Sequence, residues 1–239
     1  MTPPRAAPPR GAARGRPLRR PRAIPARFRS APPVQGRSRE TLDRLAEAVE
    51  SLLLTRSFED IPVQDIVERA GSSVGSFYAR FGSKEALLPH LYLRYHDRLE
   101  AHVQSRLRRV DWDRLDFPHT VAAFVDLLLS TYDERRELLR VLALFARQHP
   151  EALPADVVAH RRRIYEPFVR TLLRHRAAVV HADPEAAIRF GIFLVSSLAR
   201  EKILFADAPH SRVTPLSREA LRRESARALF TYLTCEVTR

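Results

Sequence analysis

The chain has 239 residues, 45% of them apolar, enough to bury a full core as one large or two small domains. It contains no charge-free apolar run of about 18 residues, so no transmembrane helix is expected, and its only cysteine, Cys235, rules out an intrachain disulfide and suits a reducing cytoplasm. The net charge of +13 points to a polyanionic partner.

That charge is concentrated at one end. Residues 1–39 hold eleven arginines and no acid, which leaves only +2 for the other 200 residues. Nine of the 18 prolines also lie before Gln35. Proline removes backbone donors and blocks helix, and Ala-Arg-Pro stretches offer little apolar surface to offset ordering entropy. Residues 1–36 are therefore expected to be an unfolded basic tail. A flexible arm that tracks phosphates and a solvated tail without a role both fit this composition.

Next in chain order is a pair of short helices. Val63, Ile66, Val67 and Ala70 recur at helical spacing, and Gly71 follows where a helix end needs a positive φ. Ser73 is suited to cap a second helix, Val74 to Phe81, with Phe77 and Phe81 on its inner face. Two helices at a sharp turn are the geometry that lays a recognition helix in the major groove. Gln64, Ser72 and Ser73 sit near helix N-termini, where polar side chains and free N–H groups suit phosphates. Ser76, Ala79 and Arg80 should face the groove, Ala79 toward a thymine methyl and Arg80 toward either a guanine or a phosphate.

From Ser83 onward the pattern is helical throughout, with neither strand alternation nor hairpin turns. Ser83 is suited to cap a helix to about Arg106, with a possible kink at Pro89. Pro118 opens the next, Glu134 to Gln148 forms another, Pro154 starts one to about Val179, Asp183-Pro184 starts one to Phe205, and Ser217 caps the last, to about Glu236. The chain thus reads as all-α.

Gly71-Ser72-Ser73-Val74-Gly75 also spells G-x-S-x-G, but a nucleophile elbow needs a strand before its serine, and Val63 to Ala70 reads as helix. No catalytic residue is therefore assigned. His90, His96 and His102 are spaced six apart, which turns each away from the last, so neither a metal nor another cofactor is expected.

The stretch from Arg37 to Tyr95 resembles the DNA-binding domain of the tetracycline-repressor (TetR) family of bacterial regulators. The likeness runs through Leu42, Leu45, Ala46, Val49, Leu52 and Leu53 as the stripe of a first helix, then Phe58, Asp65-Ile66, Ala70-Gly71, Ser76-Phe77-Tyr78, Phe81 and Ser83-Lys84-Glu85-Ala86-Leu87-Leu88. Ile61 stands where the family usually has a capping threonine, which leaves Asp60 as a substitute cap and Pro62 for the first turn. The resemblance implies a DNA-binding domain over 37–97 and a regulatory and dimerisation domain over 98–239. It also implies that the Tyr78 hydroxyl and Lys84 meet the DNA backbone.

The resemblance further implies a homodimer on a palindromic operator, joined through the last two helices. Apolar residues such as Phe190, Phe193, Leu194 and Leu198 occupy more than one face of the penultimate helix, and Ala187, Gly191, Ser196 and Ala199 would let another helix approach. Ala226, Leu229, Phe230, Leu233 and Val237 form a matching stripe. Burial within one subunit would give the same pattern. A small hydrophobic effector is implied as well, in a pocket lined by Phe124, Tyr132, Phe145, Tyr165, Phe168 and Phe193, with Arg140, His149 or Arg189 as polar anchor.

Overall fold

A computed structural model describes residues 36–153 and 156–235, with side chains from residue 39 onward. The expected tail apart from Gly36, which begins the first helix, lies outside the described residues, as do Pro154 and Val237. Ten α-helices follow one another: α1 (Gly36–Leu52), α2 (Val63–Arg69), α3 (Val74–Arg80), α4 (Leu88–Leu107), α5 (Phe117–Glu134), α6 (Arg136–Gln148), α7 (Val157–Leu173), α8 (Pro184–Ala199), α9 (Pro209–Arg212) and α10 (Arg218–Thr234). No strand occurs among the described residues.

Local chemistry sets most of the boundaries. Asp116, Asp183 and Ser217 each accept a hydrogen bond from the backbone N–H three residues on, starting α5, α8 and α10. Pro118 and Pro184 lie in the first turns of α5 and α8, where a missing N–H costs nothing. At the end of α4 the Trp112 indole N–H donates to the Leu107 carbonyl at 2.8 Å, supplying a partner to one of the last free carbonyls.

Three boundaries differ from the sequence reading. Residues Lys84–Leu87 form a 3-10 turn ahead of α4, and Pro89 lies in the first turn of α4, where it starts the helix instead of kinking it. Helix α7 stops at Leu173, because His175 is drawn onto α5: its Nε2 pairs with Thr120 Oγ1 at 2.9 Å and its ring stacks on Phe117 at 5.3 Å. Asp60 does not cap α2. It accepts from the Ser57 hydroxyl at 2.6 Å, while Pro62 occupies the N-cap position.

Two apolar cores share α4. The first joins α1, α2, α3 and the start of α4, and takes in Leu138, Val141, Leu142 and Phe145 of α6. The second joins the end of α4 to α5, α7, α8 and α10. The boundary expected after residue 97 thus lies inside one continuous helix. Arg94 of α4 is only 10% exposed and binds Asp43, Glu47 and Glu50 of α1, while Arg98 reaches Glu47 and Glu50 as well.

The small residues of α8 face inward. Ala187, Ser196 and Ala199 are buried, and a Cβ placed on Gly191 would lie 2.4 Å from Leu229 Cδ1. Gly191 thus admits Leu229 of α10 in the same subunit, and Leu229 and Leu233 are themselves buried there. The large apolar residues that α8 leaves exposed are Phe190, Phe193 and Leu194.

Candidate nucleic-acid interface and effector cavity

Helix α2 ends in a turn at Gly71, whose φ of +59° is the left-handed conformation that favours glycine. The Ser72 N–H closes that turn on the Val67 carbonyl at 2.8 Å. Ser73 then caps α3: its Oγ accepts from the Ser76 N–H at 3.1 Å and donates to Ser76 Oγ at 2.9 Å. Gly71-Ser72-Ser73-Val74-Gly75 is therefore a helix-to-helix turn and not a strand-to-helix elbow.

Only Phe77 of α3 is buried, at 1% exposure, and it packs with Phe81 at a ring separation of 5.1 Å. Val74, Gly75, Ser76, Tyr78 and Ala79 are exposed, and Arg80 is half-buried with its guanidinium 5.7 Å from the Phe81 ring. Among the described residues a Cβ on Gly75 would meet nothing within 4 Å, so no contact there explains that glycine. Gln64 is exposed in the first turn of α2, and Ser72 is half-buried at the turn.

Lys84 has a different place from the one the resemblance implied. Its ammonium donates to the carbonyls of Phe58, Ile61 and Glu59 at 2.7, 2.8 and 3.2 Å, and lies 4.7 Å from the Phe58 ring centre. All three donors are spent on the loop between α1 and α2, so the side chain positions α2 instead of reaching outward. Lys84→Met should therefore lower unfolding stability by about 2 kcal/mol, the scale of hydrogen bonds to a charged group. A chemical melt checks this, and a variant as stable as wild type would return Lys84 to the DNA side.

The second feature is a cavity where α4, α5, α6 and α7 meet. An inner chamber of about 60 Å³ is lined by Tyr95, His96, Leu99 and Val103 of α4, Leu128, Thr131 and Tyr132 of α5, Leu139 of α6, and Arg161, Ile164, Tyr165 and Phe168 of α7. Tyr132, Tyr165 and Phe168 thus line one chamber. Phe124 stands behind them in the core, 5.2 Å from the Phe168 ring.

The other suggested lining residues lie outside that chamber, with Arg189 and Phe193 bordering a groove beside α8. Phe145 and His149 face a separate groove beside Lys84. Arg140 pairs with Asp207 at 3.3 Å, and Arg189 pairs with Glu166 at 2.9 Å and Glu185 at 2.7 Å, so both charges are neutralised. Phe193 is 60% exposed on the outer face of α8. Sequence reasoning missed Tyr95, His96, Thr131 and Arg161. The spacing of Arg161 and Tyr165, four apart and so on one helix face, was the usable signal.

Burial sets the chamber's protonation states. His96 is pushed down to about 4, despite its Nδ1–H donating to the Tyr92 carbonyl at 2.7 Å, and the charges of Arg161 and His160 reinforce the shift. Its imidazole is neutral at pH 7, which leaves Nε2 as an acceptor. Burial likewise raises the hydroxyls of Tyr95 and Tyr132 well above their usual range, keeping both as donors. No group of three or more His, Cys, Asp or Glu converges as a metal site among the described residues, and no helix there is long and apolar enough to cross a membrane.

Comparison with known proteins agrees with this geometry. Residues 45–91 match the model of bacterial regulatory proteins of the tetR family. An uncharacterised helix-turn-helix transcriptional regulator of Bacillus subtilis (strain 168), YdgC, is 30% identical over 102 residues, 43% of this chain and 52% of that protein. The matched region thus spans about half the length of that curated relative. A putative TetR-family regulator from Mesorhizobium loti superposes with a TM-score of 0.53 at 16% identity, over 83% of this chain and 98% of its own. RolR in complex with resorcinol does so with a TM-score of 0.52 at 20% identity, over 84% and 92%. Residues 45–91 of this chain thus carry the helix-turn-helix bundle of the tetR family of bacterial regulatory proteins, and the described helices share the fold of the solved regulators.

Proposed function

We propose that the protein is a ligand-responsive transcription repressor that works in the cytoplasm as a homodimer on a palindromic operator. The observation that carries the DNA-binding reading is α3, a capped helix with a single buried side chain, whose small and aromatic outer face no described residue covers. Ser76, Ala79 and Arg80 read base edges there, while Gln64, Ser72, Ser73 and Tyr78 meet the backbone. The open space at Gly75 lets the duplex come close.

The dimer forms through α8 and α10. Phe190 and Phe193 lie 6.4 Å apart, with Tyr232 of α10 at 5.5 Å from Phe190, and Leu194 extends the patch. Contiguous exposed aromatic surface of this kind marks an association site. A twofold dimer places two α3 helices about one or two duplex turns apart, so its operator is an inverted repeat.

Ligand control follows from the position of the chamber. Tyr95, His96, Leu99 and Val103 hang from α4, whose earlier turns are tied to α1 through Arg94 and Arg98. A ligand that fits better when α4 has shifted moves the DNA-binding bundle with it, and lowers operator affinity by its differential affinity for the two arrangements.

Sedimentation and footprinting test the reading together. Wild-type protein should be a dimer at micromolar concentration and protect a symmetric site upstream of a regulated gene. Phe193→Glu should sediment as a monomer and lose protection while keeping its helical content. A variant that remains a dimer would contradict the proposed interface.

A further inference from the structure

The chamber is not isolated. It adjoins a groove of about 280 Å³ toward α6 and another of about 360 Å³ toward α8; Arg161 and Tyr165 line all three spaces, and Arg200 lines the two outer ones. No aspartate or glutamate lines any of the three. Arg147, Arg161 and Arg200 make no ion pair among the described residues, in contrast to Arg140 and Arg189 nearby. Arg200 Nε and Ser196 Oγ are buried without a hydrogen-bond partner among the described residues. Arg200 also opens a single π-helical turn, Arg200–Leu204, a local widening often found at functional sites.

Uncompensated guanidinium groups around a concavity with apolar walls raise the local concentration of anions. A buried donor without an acceptor costs free energy until one arrives. Beyond the arginines the walls are apolar, and the neutral His96 and the tyrosine hydroxyls add polarity without negative charge.

From these observations we infer that the effector is an organic anion, with a carboxylate or phosphate head held by Arg161 and Arg200 and an apolar body lying in the adjoining grooves against the tyrosine-lined chamber. The assignment rests on the ligand-responsive reading above and adds the ligand's chemistry to it. Guanidinium suits this task because it offers two parallel donors to an oxyanion and stays charged at any working pH.

Four compounds with one body separate the contributions: 4-phenylbutyrate, 4-phenylbutyl phosphate, 4-phenylbutanol and 4-phenylbutylamine, each titrated calorimetrically into the full-length protein. At least one anion should bind about tenfold or more tighter than the alcohol and the amine, and the carboxylate and phosphate arms identify the preferred head. Arg161→Gln and Arg200→Gln should each weaken that anion by about 10- to 100-fold, the scale of a lost charge-assisted hydrogen bond, and leave the alcohol unchanged. Arg140→Gln, at a neutralised position, should bind as wild type does. Amine or alcohol binding as tight as the anions, or indifference to Arg161→Gln and Arg200→Gln, would overturn the assignment. If one of those uncharged or cationic compounds also releases DNA, the ligand-responsive reading survives alone. Failure of all four to bind counts against both.

Discussion

Arg94→Met should destabilise the protein by about 3 kcal/mol, because it removes the cation that joins α1 to α4 and leaves carboxylates behind. Arg94 is 10% exposed and contacts Asp43 at 2.8 Å and Glu50 at 3.2 Å as well as Glu47, and the Glu50 side chain is itself only 11% exposed. Breaking a buried pair by deleting one partner typically costs about 3–5 kcal/mol, since the remaining charge stays desolvated. The lower end applies here because Arg98 still reaches Glu50 at 3.2 Å. Arg170→Met supplies the comparison: its pair with Glu166, at 3.5 Å and with Arg170 77% exposed, should be worth less than about 0.5 kcal/mol. Denaturant melts at pH 7 check both, and Glu50→Gln added to Arg94→Met should recover part of the loss. Equal losses in the two single variants would remove the special status of the α1–α4 link.

The same link has a pH signature. Arg94 holds the Glu47 carboxyl below its ordinary value, so the stability Glu47 contributes is present above about pH 4.5 and is lost as pH falls through the depressed folded value. Arg94→Met should flatten stability against pH on that acid side.

Mild acid should weaken the wild-type protein before that range is reached. The folded pKa of His96 is pushed down to about 4 from an ordinary 6.5, chiefly by burial. Between those values the unfolded chain takes up a proton that the folded state refuses. The His96 contribution is therefore complete above about pH 6.5 and is lost progressively as pH falls toward 4, by about 3 kcal/mol in total. His90, lowered by burial in the same sense, adds a smaller slope in the same direction. His96→Gln should remove most of the loss between pH 6.5 and 4. A wild-type stability that stays level over this window would mean that His96 is protonated in the folded protein.

The two halves of the molecule were unequally legible in the sequence. The helix-turn-helix was readable because its constraints are local: Gly71 must take a positive φ, Ser73 must reach Ser76 N, and Phe77 must point inward. The starts of α5, α8 and α10 were readable for the same reason, each carrying its cap and two of them a first-turn proline. The end of α7 was not, since Arg174-His175-Arg176 carries no stop signal and the break comes from His175 binding across to α5. Nor was the role of Gly191, because a small residue looks the same whether it admits a helix of its own subunit or of another. The chamber depended most on tertiary structure. Tyr95 and Arg161 come from helices far apart in sequence, and only the crossing of α4 and α7 shows that they share a space.

If α3 reads DNA sequence for a twofold dimer, selection of bound duplexes from a random library by the purified full-length protein will reveal it. A single inverted repeat should be enriched, with half-sites about one or two turns apart. Arg80→Ala should keep the symmetry, relax the preference at one position per half-site and cost about 1–3 kcal/mol on the selected site if Arg80 reads guanine. Unchanged preference with uniformly weaker binding would place Arg80 on phosphate instead. Bound DNA with no sequence enriched over the input library, or with an asymmetric single site, would mean that α3 does not read sequence for a twofold dimer.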